Sequence, residues 1–172
     1  MGISLVIVYQ RGIKYSKLFK RFGKIALAAG IITVTTAIMM PNSWVYFGIL
    51  HFIAFATLLL VGLVNYPRVC LTLSGLVLLL YSQFASLGKW PFYYLGDMIP
   101  KHTVDLATPF PWLALPLIGI WAAHQKFFLT PKKQTHQPHK LVLSLSTNSL
   151  LIYLIHQPIM FGGMQALYWL NS

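Results

Sequence analysis

The chain alternates between long apolar stretches and short polar or basic ones. The most uniform apolar stretch, residues 45–64, carries no formally charged side chain. At ~1.5 Å of rise per residue it matches the ~30 Å hydrocarbon core of a bilayer, which predicts a membrane-spanning helix. Its one imidazole, His51, needs a hydrogen-bond partner inside a helix bundle or a wet cavity. His51 therefore marks the inward face of this helix.

Similar apolar stretches predict further spans, each bounded by turn or capping residues. Pro41 ends one of them, and Thr108-Pro109 supplies a cap and a proline at the first helical position of another. The segment from Ile3 to Tyr9 is too short to cross and resembles the end of a helix whose beginning is absent. We predict an all-α fold, a multi-pass transmembrane helical bundle forming one domain over residues 1–172 with a partial N-terminal helix. The five predicted spans are approximately 25–40, 45–64, 69–87, 109–128 and 146–170.

Composition agrees with a membrane protein. Hydrophobic residues make up 57% of the chain and charged residues 9%, with a mean hydropathy of +0.68, whereas soluble domains carry about 25% charged residues. The net charge of +11 raises the question of nucleic-acid binding, but the basic residues lie in short clusters between apolar spans. We therefore predict a lipid bilayer as partner and no nucleic acid. The single cysteine, Cys70, excludes an intrachain disulfide.

The distribution of Lys and Arg predicts an orientation. With five spans, the basic segment 11–24 falls on the same side as Arg68 and the polar loop 130–140, and only Lys89 and Lys101 fall on the other side. By the positive-inside rule, the basic loops are cytoplasmic, and the loop 88–108 and the C-terminus are extracytoplasmic. A bacterial inner membrane is the expected location.

Two polar groups near the predicted outer boundary are candidates for chemistry. A neutral His51 is placed to act as a general base toward a hydroxyl or amine arriving from outside; the alternative is one buried hydrogen bond that ties two helices together. Asp105 precedes the predicted helix at Pro109, where a carboxylate can orient a histidine, bind a substrate hydroxyl, or only compensate the helix dipole. The residues alone leave these alternatives open.

The last predicted span carries a polar stripe. Ser149, Tyr153 and His156 follow one another at i, i+4 and i+7, which places them on one face of a helix. Pro158 removes a backbone hydrogen bond and should kink the helix beside His156. The stripe predicts a lined cavity, with interhelical hydrogen bonding as the alternative.

Motifs for metals and nucleotides are not found in the sequence. His136 and His139 lie in a polar loop without a cysteine or carboxylate to complete a ligand set, so we predict no metal site. The chain has no Gly-rich phosphate loop, no Gly-x-Ser-x-Gly elbow and no His-Glu-x-x-His motif. From the residues alone, the interpretation ends at a membrane bundle with histidines facing a cavity.

Three sequence segments resemble a known family. FGILHFIAFATLL, DLATPFPWLALPLIGIW and NSLLIYLIHQPI, in this order, are similar to the heparan-alpha-glucosaminide N-acetyltransferase catalytic-domain family and its bacterial relatives, over about Ile3 to Met160. The resemblance implies a membrane acyltransferase that moves an acyl group, such as acetyl, from cytoplasmic acyl-coenzyme A to an extracytoplasmic sugar or amino sugar. Acyl-coenzyme A is then a donor substrate, and no tightly bound cofactor is implied.

The resemblance also implies roles for particular residues. His51, Asp105 and His156 match the family's motif positions as catalytic candidates, and Trp112 is the candidate platform for the sugar. The polar stripe of the last predicted span, and not the resemblance, makes Tyr153 and Ser149 candidate substrate contacts. The family's usual first helix, with an Arg-Gly motif and then a histidine, has no counterpart here, so we expect the 172 residues not to catalyse acyl transfer by themselves. The alternative is a non-catalytic bundle, as a transporter component or scaffold; a homo-oligomer is left open.

Overall fold

The computed structural model describes residues 1–9, 11–100, 102–125 and 151–156, together with residues 159, 163 and 167. The chain forms two compact units, Met1–Pro131 and Lys132–Ser172. Throughout the described residues the regular secondary structure is helical, and an isolated bridge between Phe47 and Leu106 is the only strand-like pairing there. The predicted all-α fold is confirmed.

In the first unit the described helices have clear bounds. Three short segments form 3₁₀ turns: Val61–Leu63, Ala85–Lys89 and Phe92–Met98. In the second unit, residues 151–156 are helical. The α-helices of the first unit are α1 (Gly2–Tyr9), α2 (Tyr15–Met39), α3 (Ile49–Leu60), α4 (Pro67–Gln83), α5 (Pro109–Trp112) and α6 (Ala114–Ala123).

The helix α2 is the longest described, with 25 residues, and it begins ten residues before the predicted span 25–40 because the basic segment is also helical. By length and composition, α2 is the one described helix that could cross a membrane unaided. The α4 helix meets this criterion only together with residues 86–96, across a bend of 106°, and α3 and residues 109–123 are shorter apolar helices. The five-span arrangement therefore stays a prediction.

The helix predicted over residues 45–64 is shorter in the structure, because its first residues pair with a distant segment. The α3 helix begins at Ile49, and Gly48 before it has extended backbone angles. The preceding residues lie alongside residues 103–107: the N–H of Val104 donates to the carbonyl of Ser43 at 3.2 Å, and the N–H of Ala107 to that of Phe47 at 3.0 Å. The backbone groups of this segment are thereby satisfied without a helix.

The core of the first unit combines residues of five helices. Buried side chains of α1, α2, α3, α4 and α6 belong to one apolar cluster, α6 packs against both α1 and α4, and α2 packs against α3. Glycines bring α1 and α6 unusually close: a Cβ on Gly119 would lie 3.2 Å from the Cα of Gly2, and a Cβ on Gly2 would overlap the carbonyl oxygen of Pro116. Small residues permit such close helix contacts.

Candidate functional site

Polar side chains converge at the beginning of α3. Three segments that are distant in sequence meet there: the C-terminal half of α2, the residues that lead into α3, and the segment 103–105. We call Thr33, Thr36, Gly48, His51 and Asp105 the α3 N-terminal cluster. The cluster contains two of the three predicted catalytic residues, His51 and Asp105.

Two threonines of α2 hold the backbone of Val45. The Thr33 hydroxyl donates to the Val45 carbonyl at 2.8 Å, and the Val45 N–H donates to Oγ1 of Thr36 at 3.0 Å. Both backbone groups of Val45 therefore find partners on a neighbouring helix. Because a buried backbone group without a partner is costly, these two bonds stabilise the non-helical approach to α3.

The hydrogen bonds of His51 define its protonation. Its Nε2 lies 3.2 Å from Oγ1 of Thr33, and its Nδ1 lies 3.3 Å from the backbone N of Gly48. Since Thr33 gives its only hydroxyl hydrogen to the Val45 carbonyl, Nε2 must donate to Thr33, and Nδ1 accepts from Gly48. The ring is therefore neutral with its proton on Nε2. The sequence analysis required a hydrogen-bond partner for His51, and the structure provides it in Thr33. This bond ties α3 to α2.

Asp105 binds the first turn of α3. Its Oδ2 accepts a hydrogen bond from the N–H of Ile49 at 2.9 Å, one of the N–H groups that a helix leaves unpaired at its beginning. A carboxylate is also favourable at this positive end of the helix dipole. The segment is held in place because the Thr103 hydroxyl donates to the Trp44 carbonyl at 2.9 Å. In sequence Asp105 precedes α5, but the structure places its carboxylate at α3 instead.

Gly48 makes room for this carboxylate. A Cβ at position 48 would overlap Oδ2 of Asp105 and would lie 2.9 Å from Cγ1 of Val45. The glycine is therefore required by the close approach of the side chain. Its N–H, in turn, is the group that fixes Nδ1 of His51.

Several aromatic side chains border the cluster, on the side of the loop that follows α4. The ring of Phe47 lies 5.9 Å from that of His51 and 4.9 Å from that of Phe92, and Tyr46 packs edge-on against Phe92 at 5.2 Å. Next to these rings is a cavity of about 350 Å³. Aromatic walls with a few polar groups are typical of small-molecule sites. The lining residues are Tyr46, Lys89, Phe92, Gly96, Ile99, Pro100 and Leu106.

Trp112, the predicted sugar platform, lies elsewhere. It lines a second cavity of about 390 Å³, whose other walls include Ile49, Phe52 and Leu115. These side chains are apolar, and Ile49 and Phe52 lie three residues apart on one face of α3, which His51 does not share. The structure therefore brings Trp112 neither to the aromatic cavity nor to His51.

The remaining predicted residues lie in the second unit. His156 and Tyr153 are in the helical segment 151–156, where His156 is exposed and Tyr153 is partly buried. Ser149 and Pro158 lie outside the described residues. Within the described parts of both units, no three His, Cys, Asp or Glu side chains form a group suited to a metal ion.

The sequence analysis missed Thr33, Thr36 and Gly48 as members of the cluster. A signal was present for the threonines, since two hydroxyl side chains three residues apart share a face in the C-terminal half of α2, which is otherwise apolar apart from Thr35. The importance of Gly48 has no local signal, because it depends on Asp105, 57 positions further along the chain.

Together these features define an all-α protein with a helix able to cross a membrane and a hydrogen-bonded polar cluster at the start of an adjacent helix. Over residues 1–158 the sequence matches the family model "Heparan-alpha-glucosaminide N-acetyltransferase, catalytic", and the chain belongs to this family. This confirms the resemblance found in the sequence. No curated protein and no solved structure gives a significant match.

Proposed function

We propose that this chain is a multi-pass membrane acyltransferase with five spans, resident in a bacterial inner membrane. It takes an acyl group, such as acetyl, from cytoplasmic acyl-coenzyme A and places it on an extracytoplasmic sugar or amino sugar. The observation that carries the proposal is the family match over residues 1–158, which supports acyltransferase-like function and an acyl-coenzyme A donor.

The layout of α2 supports a two-sided reaction. Its N-terminal part carries Lys17, Lys20 and Lys24, and Thr36 of the α3 N-terminal cluster lies near its other end. The rise from Lys24 to Thr36 is ~18 Å at ~1.5 Å per residue, so with the lysines at the cytoplasmic surface the cluster lies in the outer half of the ~30 Å hydrocarbon core. The basic end then faces the cytoplasm and the donor, and the cluster faces the acceptor.

Asp105 and His51 have complementary roles in this proposal. The bond to Ile49 uses Oδ2 of Asp105, and a carboxylate has a second oxygen with which to bind the hydroxyl or ammonium group of the acceptor. His51 accepts the acceptor's proton on Nδ1 once that atom exchanges its 3.3 Å bond to Gly48, a distance at the long end for N–H donors.

The transfer itself exchanges one bond for another. The acceptor nitrogen or oxygen attacks the thioester carbonyl, the new C–N or C–O bond forms, and the C–S bond breaks. Coenzyme A leaves as a thiolate, which takes up the proton held by His51. His156 is a second candidate proton acceptor, and Tyr153 and Ser149 are candidate substrate contacts. The apolar surroundings of Trp112 suit the acyl group better than sugar hydroxyls.

The central test uses Asp105→Asn, whose amide oxygen can still accept the Ile49 N–H but which carries no charge. The chain extended upstream to the preceding in-frame start codon is assayed in proteoliposomes with labelled acetyl-coenzyme A and trapped amino sugars. We expect Asp105→Asn to lower product formation about 100-fold while the thermal midpoint changes little. The control is Ser82→Ala, because the Ser82 hydroxyl donates only within its own helix, to Leu79. Full activity in Asp105→Asn would refute a role for this carboxylate in transfer.

A second comparison separates catalysis from a non-catalytic bundle. The 172-residue chain and the same chain extended upstream to the preceding in-frame start codon are assayed side by side. Product from the longer chain alone supports acyl transfer and shows that further residues complete the site. A folded protein that forms no product at either length supports the scaffold or transporter alternative.

A further inference from the structure

The outward side of α2 carries a continuous stripe of seven residues. Their spacing alternates between three and four, so they follow one face of the helix from end to end. The stripe is basic over its first three members and aliphatic over its last four. We call it the α2 outer stripe: Lys17, Lys20, Lys24, Leu27, Ile31, Val34 and Ile38.

The described part of the first unit leaves this stripe uncovered. The exposed fractions are 66% for Leu27, 50% for Ile31, 60% for Val34 and 75% for Ile38. The three lysines are exposed as well. The opposite side of α2 makes the packing contacts, with residues such as Leu18, Ile25 and Ala28 buried.

The chain offers few acidic groups to these lysines. The whole sequence has 13 Lys and Arg but only 2 Asp and Glu. One of those acids, Asp105, is bound to the first turn of α3, near the opposite end of α2. Like charges three and four residues apart on a helix repel each other, so a bound anion would stabilise this face of α2.

We propose that the α2 outer stripe binds an anionic phospholipid, with the phosphate at Lys17, Lys20 and Lys24 and one acyl chain along Leu27 to Ile38. The aliphatic part rises ~17 Å, about half of the ~30 Å hydrocarbon core and thus the depth of one leaflet. Lysines at the membrane surface attract anionic headgroups. The site rests on the membrane placement proposed above and assigns α2 a lipid contact beyond the transfer reaction.

The pattern selects a phospholipid over other phosphate ligands. Soluble coenzyme A also carries several phosphates, but it offers no long hydrocarbon chain for the four exposed aliphatic side chains. A second copy of this chain would cover the aliphatic part, but with only 2 Asp and Glu it offers the three lysines few counter-charges. An amphiphile with an anionic head satisfies both halves of the stripe at once.

The test compares the full chain in nanodiscs of phosphatidylcholine with and without phosphatidylglycerol. We expect phosphatidylglycerol to raise the thermal midpoint, and Lys20→Gln/Lys24→Gln to remove about 4 °C or more of that rise. The control Arg11→Gln/Lys14→Gln removes the same charge next to the stripe and should keep most of the rise. Any rise that coenzyme A produces in phosphatidylcholine nanodiscs belongs to the donor site and should be unchanged in Lys20→Gln/Lys24→Gln.

Three outcomes would overturn the lipid site. These are equal midpoints in the two lipid compositions, equal loss in the two double variants, and a rise with coenzyme A alone that Lys20→Gln/Lys24→Gln removes. A disulfide-linked dimer formed efficiently by Ile31→Cys in a Cys70→Ala background would instead assign the stripe to a second copy. Acyl transfer is measured on the same samples, so loss of the lipid effect with retained transfer refutes this site alone.

Discussion

The α2–α3 contact and the α1–α6 contact hold helices together by different means. At the first, hydroxyl, imidazole and carboxylate groups exchange directed hydrogen bonds around the start of α3. At the second, glycines bring one helix backbone close to another, and apolar side chains fill the remaining space. Hydrogen bonds fix a unique arrangement of atoms, whereas close packing fixes a distance.

The difference shows where chemistry can be located. A lipid-like environment gives apolar helices no strong reason to pack in one register, so polar groups between them carry specificity at some cost in stability. The α3 N-terminal cluster is such a place, and it contains the charged and titratable groups of the proposed reaction. The α1–α6 contact has only a structural role, and the two contacts should respond differently to substitution.

The largest loss is expected at the glycine contact. In Gly2→Val, the new Cβ overlaps the carbonyl oxygen of Pro116 and lies 2.8 Å from the N of Ile120, and backbone atoms cannot move aside easily. We expect a loss of about 3 kcal/mol and a thermal midpoint lower by about 6–12 °C in detergent. Gly23→Ala in α2 is the control, since nothing lies within 4 Å of its Cβ position; it should stabilise by about 0.5–1 kcal/mol.

An intermediate loss is expected for Gly48→Ala, at about 2 kcal/mol, because the added methyl meets the Asp105 carboxylate. A shorter side chain at position 105 should relieve the overlap. The double variant Gly48→Ala/Asp105→Ser is therefore expected to lose less stability than the sum of the two single variants. Strict additivity in thermal unfolding would contradict the close approach between these residues.

The smallest loss is expected for Thr33→Val, which keeps the side-chain shape but removes the hydroxyl. The Val45 carbonyl and the Nε2–H of His51 each lose a partner, which should cost about 1–2 kcal/mol. Thr33→Ser keeps the hydroxyl and should therefore retain most of the stability that Thr33→Val loses. In the matched control, Thr72→Val, the lost hydroxyl bonds only to Val69 of its own exposed helix turn; a loss as large as in Thr33→Val would argue against the network.

Local pattern predicted the helical class and the polar anchor of α3. Apolar stretches separated by turns gave the all-α fold, and an imidazole in such a stretch had to find a partner. Local pattern did not predict where α3 begins, because residues 43–47 pair with residues 104–107 and are held by two threonines of α2. Such pairings across tens of residues leave no periodic signal in either segment.

The site was predictable in its residue types but not in its assembly. His51 and Asp105 stood out because each is polar beside an apolar stretch. That Asp105 binds α3 rather than the helix that follows it depends on the return of the chain after α4, which no spacing rule encodes. The position of Trp112 at a different cavity was unpredictable for a similar reason. The residues of α3 around His51 are apolar on both faces, so their pattern does not indicate which face Trp112 contacts.

The pairing between the start of α3 and the segment around Asp105 also sets an order for biogenesis. Thr33 and His51 are 18 residues apart, so their contact can form as soon as α2 and α3 have been inserted. The Ile49–Asp105 bond joins residues 56 positions apart and must wait until α4 and the following loop have left the ribosome. A nascent chain therefore positions the histidine before it acquires the carboxylate, and the α3 N-terminal cluster is complete only late in synthesis.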